Sequence, residues 1–222
     1  MSRGLFSIKF PSFLLCTFYP ILHTINYLAA QIKNMPEQSE KIDRLFSIIE
    51  IGEDENAFHA ADTLGEHSDE TIVRRLFDLL SSTNHDTVYL AARALSKSKD
   101  NGVVIDDIFE LIKNDKGTFL KPILAEALSG FDCSEYFVEI LKLYLFGSFK
   151  VSAMAKDILD EQEFAITPRV IRKAEKHWNH FKHNVKLDDN FDLKNQEIAS
   201  MFETMRELFE GEDEEEEETE QI

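Results

Sequence analysis

Four short segments set the terms on which this chain folds: RLFSII (44–49), RLFDLL (75–80), DIFELI (107–112) and EILKLY (139–144). Their second residues, Leu45, Leu76, Ile108 and Ile140, are spaced by 31, 32 and 32. Each is followed by a segment in which small residues precede a large one: AADTL (60–64), AARAL (91–95), LAEAL (124–128) and MAKDIL (154–159). With Ala61, Ala92, Ala125 and Ala155 taken as equivalent, the spacing is 31, 33 and 30, so two segments recur in step. Self-similarity at a fixed period of roughly 20 to 50 residues marks units that cannot bury their apolar faces alone and stack on their neighbours.

The residue types suit stacked helices. Apolar residues at three- and four-residue spacing give the first segment of each unit a helical stripe, and Ala on the second lets two helix backbones approach closely. Only 8 Gly and 5 Pro occur in 222 residues, few for an all-β chain that must turn often, and 43% hydrophobic content is enough for a packed core. The chain therefore reads as all-α. Gly52, Gly65, Gly102, Gly117, Gly130 and Gly147 fall near the ends of the segments, where left-handed terminating conformations are expected rather than a phosphate loop.

In these first and second segments, and in a unit of about 31 residues, positions 40–165 resemble HEAT repeats, especially the short subclass found in phycobilisome-lyase-like proteins. The resemblance implies a HEAT/ARM-like α-α superhelix, an alpha solenoid of about four helix pairs whose second helices line the concave side. Pro122, at the start of the third second helix, and the missing small-residue pair of the fourth unit depart from the pattern.

Two rows across the units suggest function. Three residues before each equivalent Ala stand Phe58, Tyr89, Pro122 and Ser152. On an exposed inner face Phe58 and Tyr89 would anchor a partner; the alternative is that they tuck between layers. One residue after each Ala stand Asp62, Arg93, Glu126 and Lys156, alternating in sign, which reads as a ladder of ion pairs. Arg93 joins Phe58 and Tyr89 as an expected partner-binding residue.

Beyond the repeats, the chain divides by composition. Residues 1–34 form a hydrophobic leader with no Asp, Glu, Lys or Arg between Lys9 and Lys33. Three readings stand for it: a translated leader upstream of a start at Met35, a membrane anchor through residues 10–30, or a cleaved signal. Pro11, Pro20, His23 and Asn26 make it a poor spanning helix. Residues 35–166 carry the repeats. Over 167–209, Thr167-Pro168 opens a polar helix that reaches about Lys186, and a second amphipathic helix with Leu193, Ile198, Met201, Phe202 and Met205 on its apolar side follows; both are expected to cap the stack. In 210–222, 9 of 13 residues are acidic, and this tail reads as disordered.

The formal net charge of −18 disfavours nucleic acid as a partner, and two cysteines make no disulfide framework, in keeping with a cytoplasmic protein. His177, His180 and His183 fan too widely over one helix for a tetrahedral ion and read as a polar face with Trp178 and Phe181 turned inward, so no metal is expected. No GxSxG, Walker-type loop, dinucleotide fingerprint or CxxC occurs, so neither catalysis nor a cofactor is expected. What remains is a non-enzymatic adaptor or scaffold with a protein partner, a basic one if the acidic tail takes part. A bilin-lyase-like or other repeat-fold enzyme, and a membrane-tethered adaptor that retains residues 10–30, are the rivals.

Overall fold

The computed structural model describes residues 38–52, 55–115, 117–184 and 190–219, apart from the side chain at 55 and those beyond 207. Residues 1–34, with the leader, anchor and signal readings, lie outside them. The described chain is helical throughout, with no strand among the described residues. Its elements are α1 (38–51), α2 (Glu55–Glu66), α3 (Glu70–Leu79), α4 (His85–Lys97), α5 (Ile105–Asn114), α6 (Leu120–Ala127), α7 (Phe137–Phe146), α8 (Phe149–Glu161), α9 (Pro168–Asn184) and α10 (Phe191–Thr219).

Local chemistry sets where several of these begin. Asp69 caps α3 by accepting the Ile72 amide at 2.9 Å, and Asn84 caps α4 by accepting the Asp86 amide at 3.0 Å. Thr167 Oγ1 accepts the Val170 amide at 3.3 Å ahead of Pro168, the first residue of α9. Pro122 does not interrupt α6. It sits in the first turn, where a missing N–H leaves no helical bond unmade.

Packing follows the two sequence rows. Leu76, Ile108 and Ile140 are fully buried; Leu45 is half-buried, and its neighbours Phe46 and Ile49 fill the core in its place. Ala61, Ala92, Ala125 and Ala155 are all buried where second helices meet: α2 packs on α4, α4 on α6 and α6 on α8. Within pairs, α3 packs on α4, α5 on α6 and α7 on α8, and the buried apolar residues from Phe46 to Phe202 form one cluster.

Gly52 meets the expectation of a left-handed helix end, and Gly65 and Gly130 serve a different purpose. Among the described residues only Gly52 has a positive φ, 76°. Gly65 and Gly130 are sites of close approach: a Cβ on Gly65 would lie 2.6 Å from the Ala94 carbonyl oxygen, and one on Gly130 only 1.9 Å from that of Ser96. Side-chain amides tie the same region together. Asn101 donates to the carbonyls of Leu95 (3.1 Å) and Gly130 (2.9 Å), while Gln162 donates to Phe131 O (3.1 Å) and accepts from the Cys133 amide (3.0 Å).

After the fourth pair, α9 packs on α7 and α10 on α9. Phe181, Ile198 and Phe202 are fully buried, Trp178 stacks on Phe202 with centroids 5.2 Å apart, and its indole N–H donates to Asn195. One expected apolar position is corrected: Leu193 is 54% exposed, and Lys194 beside it only 4%. The Lys194 ammonium faces the rings of Tyr144 and Phe181, which offer it electron-rich surface, and the Tyr144 hydroxyl donates to Glu197 in the same region. The helical backbone of α10 also runs past Phe209 into the acidic segment that composition alone reads as disordered.

The close approaches predict a sharp contrast between two glycines. Gly130→Ala forces the α4 and α6 ends apart and should cost at least about 1–3 kcal/mol, whereas Gly102→Ala, with nothing within 4 Å of its Cβ, should leave the thermal midpoint nearly unchanged. Equal midpoints for the two variants in thermal denaturation would contradict this packing.

Candidate functional site

Residues four apart on a helix share a face. Tyr89, Arg93 and Lys97 therefore form one stripe along α4, and Phe58 and Asp62 a matching stripe along α2; the α2–α4 contact brings the stripes together. Phe58 is 50% exposed and meets the half-buried Tyr89 edge to face, with centroids 6.2 Å apart and planes at 66°. The guanidinium carbon of Arg93 lies 5.7 Å from the centre of the Phe58 ring. All three sequence-derived residues thus share one surface, and neither simple alternative holds alone: Tyr89 is partly tucked between layers while Phe58 faces solvent.

Arg93 is locked in place. Its Nε donates to Asp62 Oδ1 at 2.7 Å and its Nη2 to Oδ2 at 3.0 Å, a two-pronged pairing that Lys97 Nζ supplements from 2.8 Å. The Arg93 hydrogen bond, opposed by partial burial and helped by Lys97, holds the Asp62 carboxyl down at about 2, and Asp62 in turn raises Arg93 above its ordinary value. Next to this pair a small cleft of about 160 Å³ opens between α4 and α6, bounded by Tyr89, Arg93, Lys97, Ile123 and Glu126.

The charge ladder ends at this first rung. Glu126 pairs with Lys150 at 3.0 Å, and Lys156 pairs with Asp160 on its own helix. In the aromatic row Pro122 is half-buried, and Ser152 is buried with its hydroxyl donating to Tyr144 O at 2.5 Å. The two rows coincide as a surface only across the first two units.

On α9, Phe181 turns inward as expected and Trp178 is half-buried, while His180 is exposed beside Phe146. His177 is shifted downward by desolvation and then by Lys142. Among the described residues no group of three or more His, Cys, Asp or Glu side chains is placed to hold a metal ion. Burial pushes the Cys133 thiol up to about 12, which keeps it protonated near neutrality.

A feature the sequence did not disclose is a larger cleft, about 460 Å³, between the third and fourth helix pairs. Phe109, Ile112, Leu143 and Val151 line it together with Lys113, Lys121 and Lys142. Several of those residues belong to the repeated segments, Phe109 and Ile112 to DIFELI and Lys142 and Leu143 to EILKLY, but the spacing does not show that the segments leave a gap between them.

No protein-family model, characterised protein or solved structure matches this chain. Among the described residues no helix is long and apolar enough to cross a membrane.

The Asp62 pairing carries a pH signature. Its folded-state value of about 2 lies below the roughly 3.9 of an unfolded Asp, so the stabilisation is complete above the unfolded value and is lost as pH falls through the folded one. Asp62→Asn should melt below wild type at pH 7, the gap closing between about pH 4 and pH 2 and narrowing in molar salt. A gap independent of pH would remove the carboxylate as its source.

Proposed function

We propose that this chain is a non-enzymatic, cytoplasmic protein-binding adaptor built as a HEAT-like solenoid of about four helix pairs with a helical cap. The repeat period supports the architecture, because side chains about one period apart bond across successive pairs: Arg93 to Asp62 over 31 residues and Arg75 to Asp43 over 32. A stack of this kind presents a rigid surface rather than a closed pocket.

The observation that carries the binding role is the preorganised group of Phe58, Tyr89 and Arg93. Aromatic residues and arginine dominate the energetics of protein interfaces, and side chains fixed in advance lose little entropy when a partner arrives. Phe58 offers a half-exposed ring whose orientation is set by Tyr89, and Arg93 is held over that ring by Asp62. The surplus of negative charge, concentrated in 210–222, favours encounter with a basic surface and should do so most at low salt.

The test is capture from native lysate by the immobilised full chain, washed at low and high salt, beside the double variant Phe58→Ala/Tyr89→Ala. A specific protein retained by wild type at high salt should be lost from the variant by at least tenfold, since anchor truncations cost about 2 kcal/mol or more. Circular dichroism should show the variant folded. Equal recovery by both proteins would remove this surface from the reading, and an empty wild-type eluate at both salts would remove the adaptor itself.

A further inference from the structure

The larger cleft lies away from the Phe58 face and is built from different parts. The last turns of α5 contribute Phe109 and Ile112, the first turn of α6 contributes Lys121 and Pro122, and α7 contributes Lys142, Leu143 and Phe146. The turn into α8 closes one end. There the Gly147 amide donates to Leu143 O at 2.9 Å, and a Cβ on Gly147 would stand 2.4 Å from that oxygen and 2.7 Å from Val151 Cγ1. Packing this tight fixes the wall, so the cleft is formed before any ligand arrives. At about 460 Å³ it falls within the range of ligand-sized cavities.

Exposed apolar surface extends beyond the cavity. Phe146 is 42% exposed and Phe149 is 81% exposed, one on each side of the turn, and Phe119 at the start of α6 is also partly exposed. A small ligand confined to the cavity would leave Phe149 in water, whereas a polypeptide segment would cover it. Exposed aromatic residues beside a cleft mark association surfaces.

The charges select the kind of segment. Lys113 is engaged by Glu110 at 2.8 Å, but Lys121 and Lys142 make no ion pair among the described residues. Glu110 and Glu139 line the same cleft, Glu110 being the partner of Lys113, so Lys121 and Lys142 face Glu139 and the lining keeps a small positive surplus. The net charge of −18 does not reverse this locally, because charges beyond about 8 Å are largely screened at physiological salt.

We propose that this cleft docks an acidic segment of a partner protein, which seats one large apolar side chain against Phe109, Ile112, Leu143 and Val151 and places carboxylates beside Lys121 and Lys142. The proposal rests on the adaptor reading but assigns it a second face and a partner of opposite charge to the one the tail attracts.

The experiment is titration of the isotope-labelled full chain, followed by amide NMR, with three synthetic peptides: EEDFLDEE, EEDSSDEE and KKNFLNKK. EEDFLDEE should shift the amides of Leu143, Phe146, Gly147 and Val151 and bind at least tenfold more tightly than either control. Lys121→Glu/Lys142→Glu should weaken it at least tenfold, while Lys41→Glu, at an exposed position of α1, should not. The cleft assignment is overturned if EEDFLDEE and KKNFLNKK bind alike, or if dodecanoate occupies the cleft more tightly than the peptide. It is also overturned if the same amides shift on raising protein concentration without peptide, which would make a second copy the occupant. Shifts confined to Phe58, Tyr89 and Arg93 would overturn the cleft alone and leave the adaptor reading standing. Failure of that reading shows separately, as an empty eluate from lysate.

Discussion

The fold depends on how closely the second helices approach one another. At Gly130 there is no room even for a methyl group, since the carbonyl oxygen of Ser96 already occupies the space, and at Gly65 the carbonyl of Ala94 does the same. Those two glycines and the buried row Ala61, Ala92, Ala125 and Ala155 make the second helices smooth along one side. Large residues there would push the backbones apart and open voids between the first helices, whose Leu, Ile and Phe side chains are sized to the present separation. The division of labour between small second helices and large first helices is thus one constraint seen from two sides.

Apolar burial drives this association without fixing its register, because it is non-directional. Directional bonds at the junctions supply what burial lacks. Asn101 and Gln162 each reach across to backbone of the preceding or following unit, and the buried Thr87 hydroxyl donates to the carbonyl of Ile49 at 3.1 Å, closing the end of α1. Each such bond contributes about 1 kcal/mol net, but a slip by one turn would leave buried carbonyls unpaired at about 1–3 kcal/mol apiece. The asymmetry between those figures penalises a shifted stack more than it rewards the correct one. Burial supplies the attraction, and the amides choose among its alternatives.

Much of this was legible in the sequence because a repeat converts a one-dimensional period into a spatial neighbour. The Ala row and the paired helices could be read that way, and the start of α9 at Thr167-Pro168 from its capping hydroxyl and first-turn proline. What failed did so where the answer lies in the offset of one helix along another. Glu126 lies beside Lys150, 24 residues away, rather than beside a member of its own row, and no periodicity announces that. Lys194 is buried and Leu193 exposed because the rotation of α10 is set by the rings of Tyr144 and Phe181, which belong to other helices. Gly65 and Gly130 depart from expectation for a related reason: a sequence shows that a position is small, but not whether backbone conformation or a neighbouring carbonyl demands it. Phe58, Tyr89 and Arg93 were found as single positions, and only the α2–α4 contact made them a group.

The chain's charge sharpens the meaning of the two faces. With 42 acidic and 24 basic residues, carboxylates are in surplus and a lysine or arginine seldom lacks a candidate partner. On α3 and α4 the cations are used accordingly: Arg74 is held by Glu70, Arg75 by Asp43, and Arg93 and Lys97 by Asp62. Pairing of this kind leaves the Phe58 face with little free charge, so what it offers a partner is oriented aromatic surface. Around the larger cleft the pattern changes. Lys121 and Lys142 stand beside apolar walls without ion pairs among the described residues, while Lys150, near the start of α8, is taken up by Glu126. An ammonium without a close ion pair adds little to the stability of the fold, and here Lys113, Lys121 and Lys142 share one lining with Glu110 and Glu139, a small positive surplus beside the partly exposed Phe146.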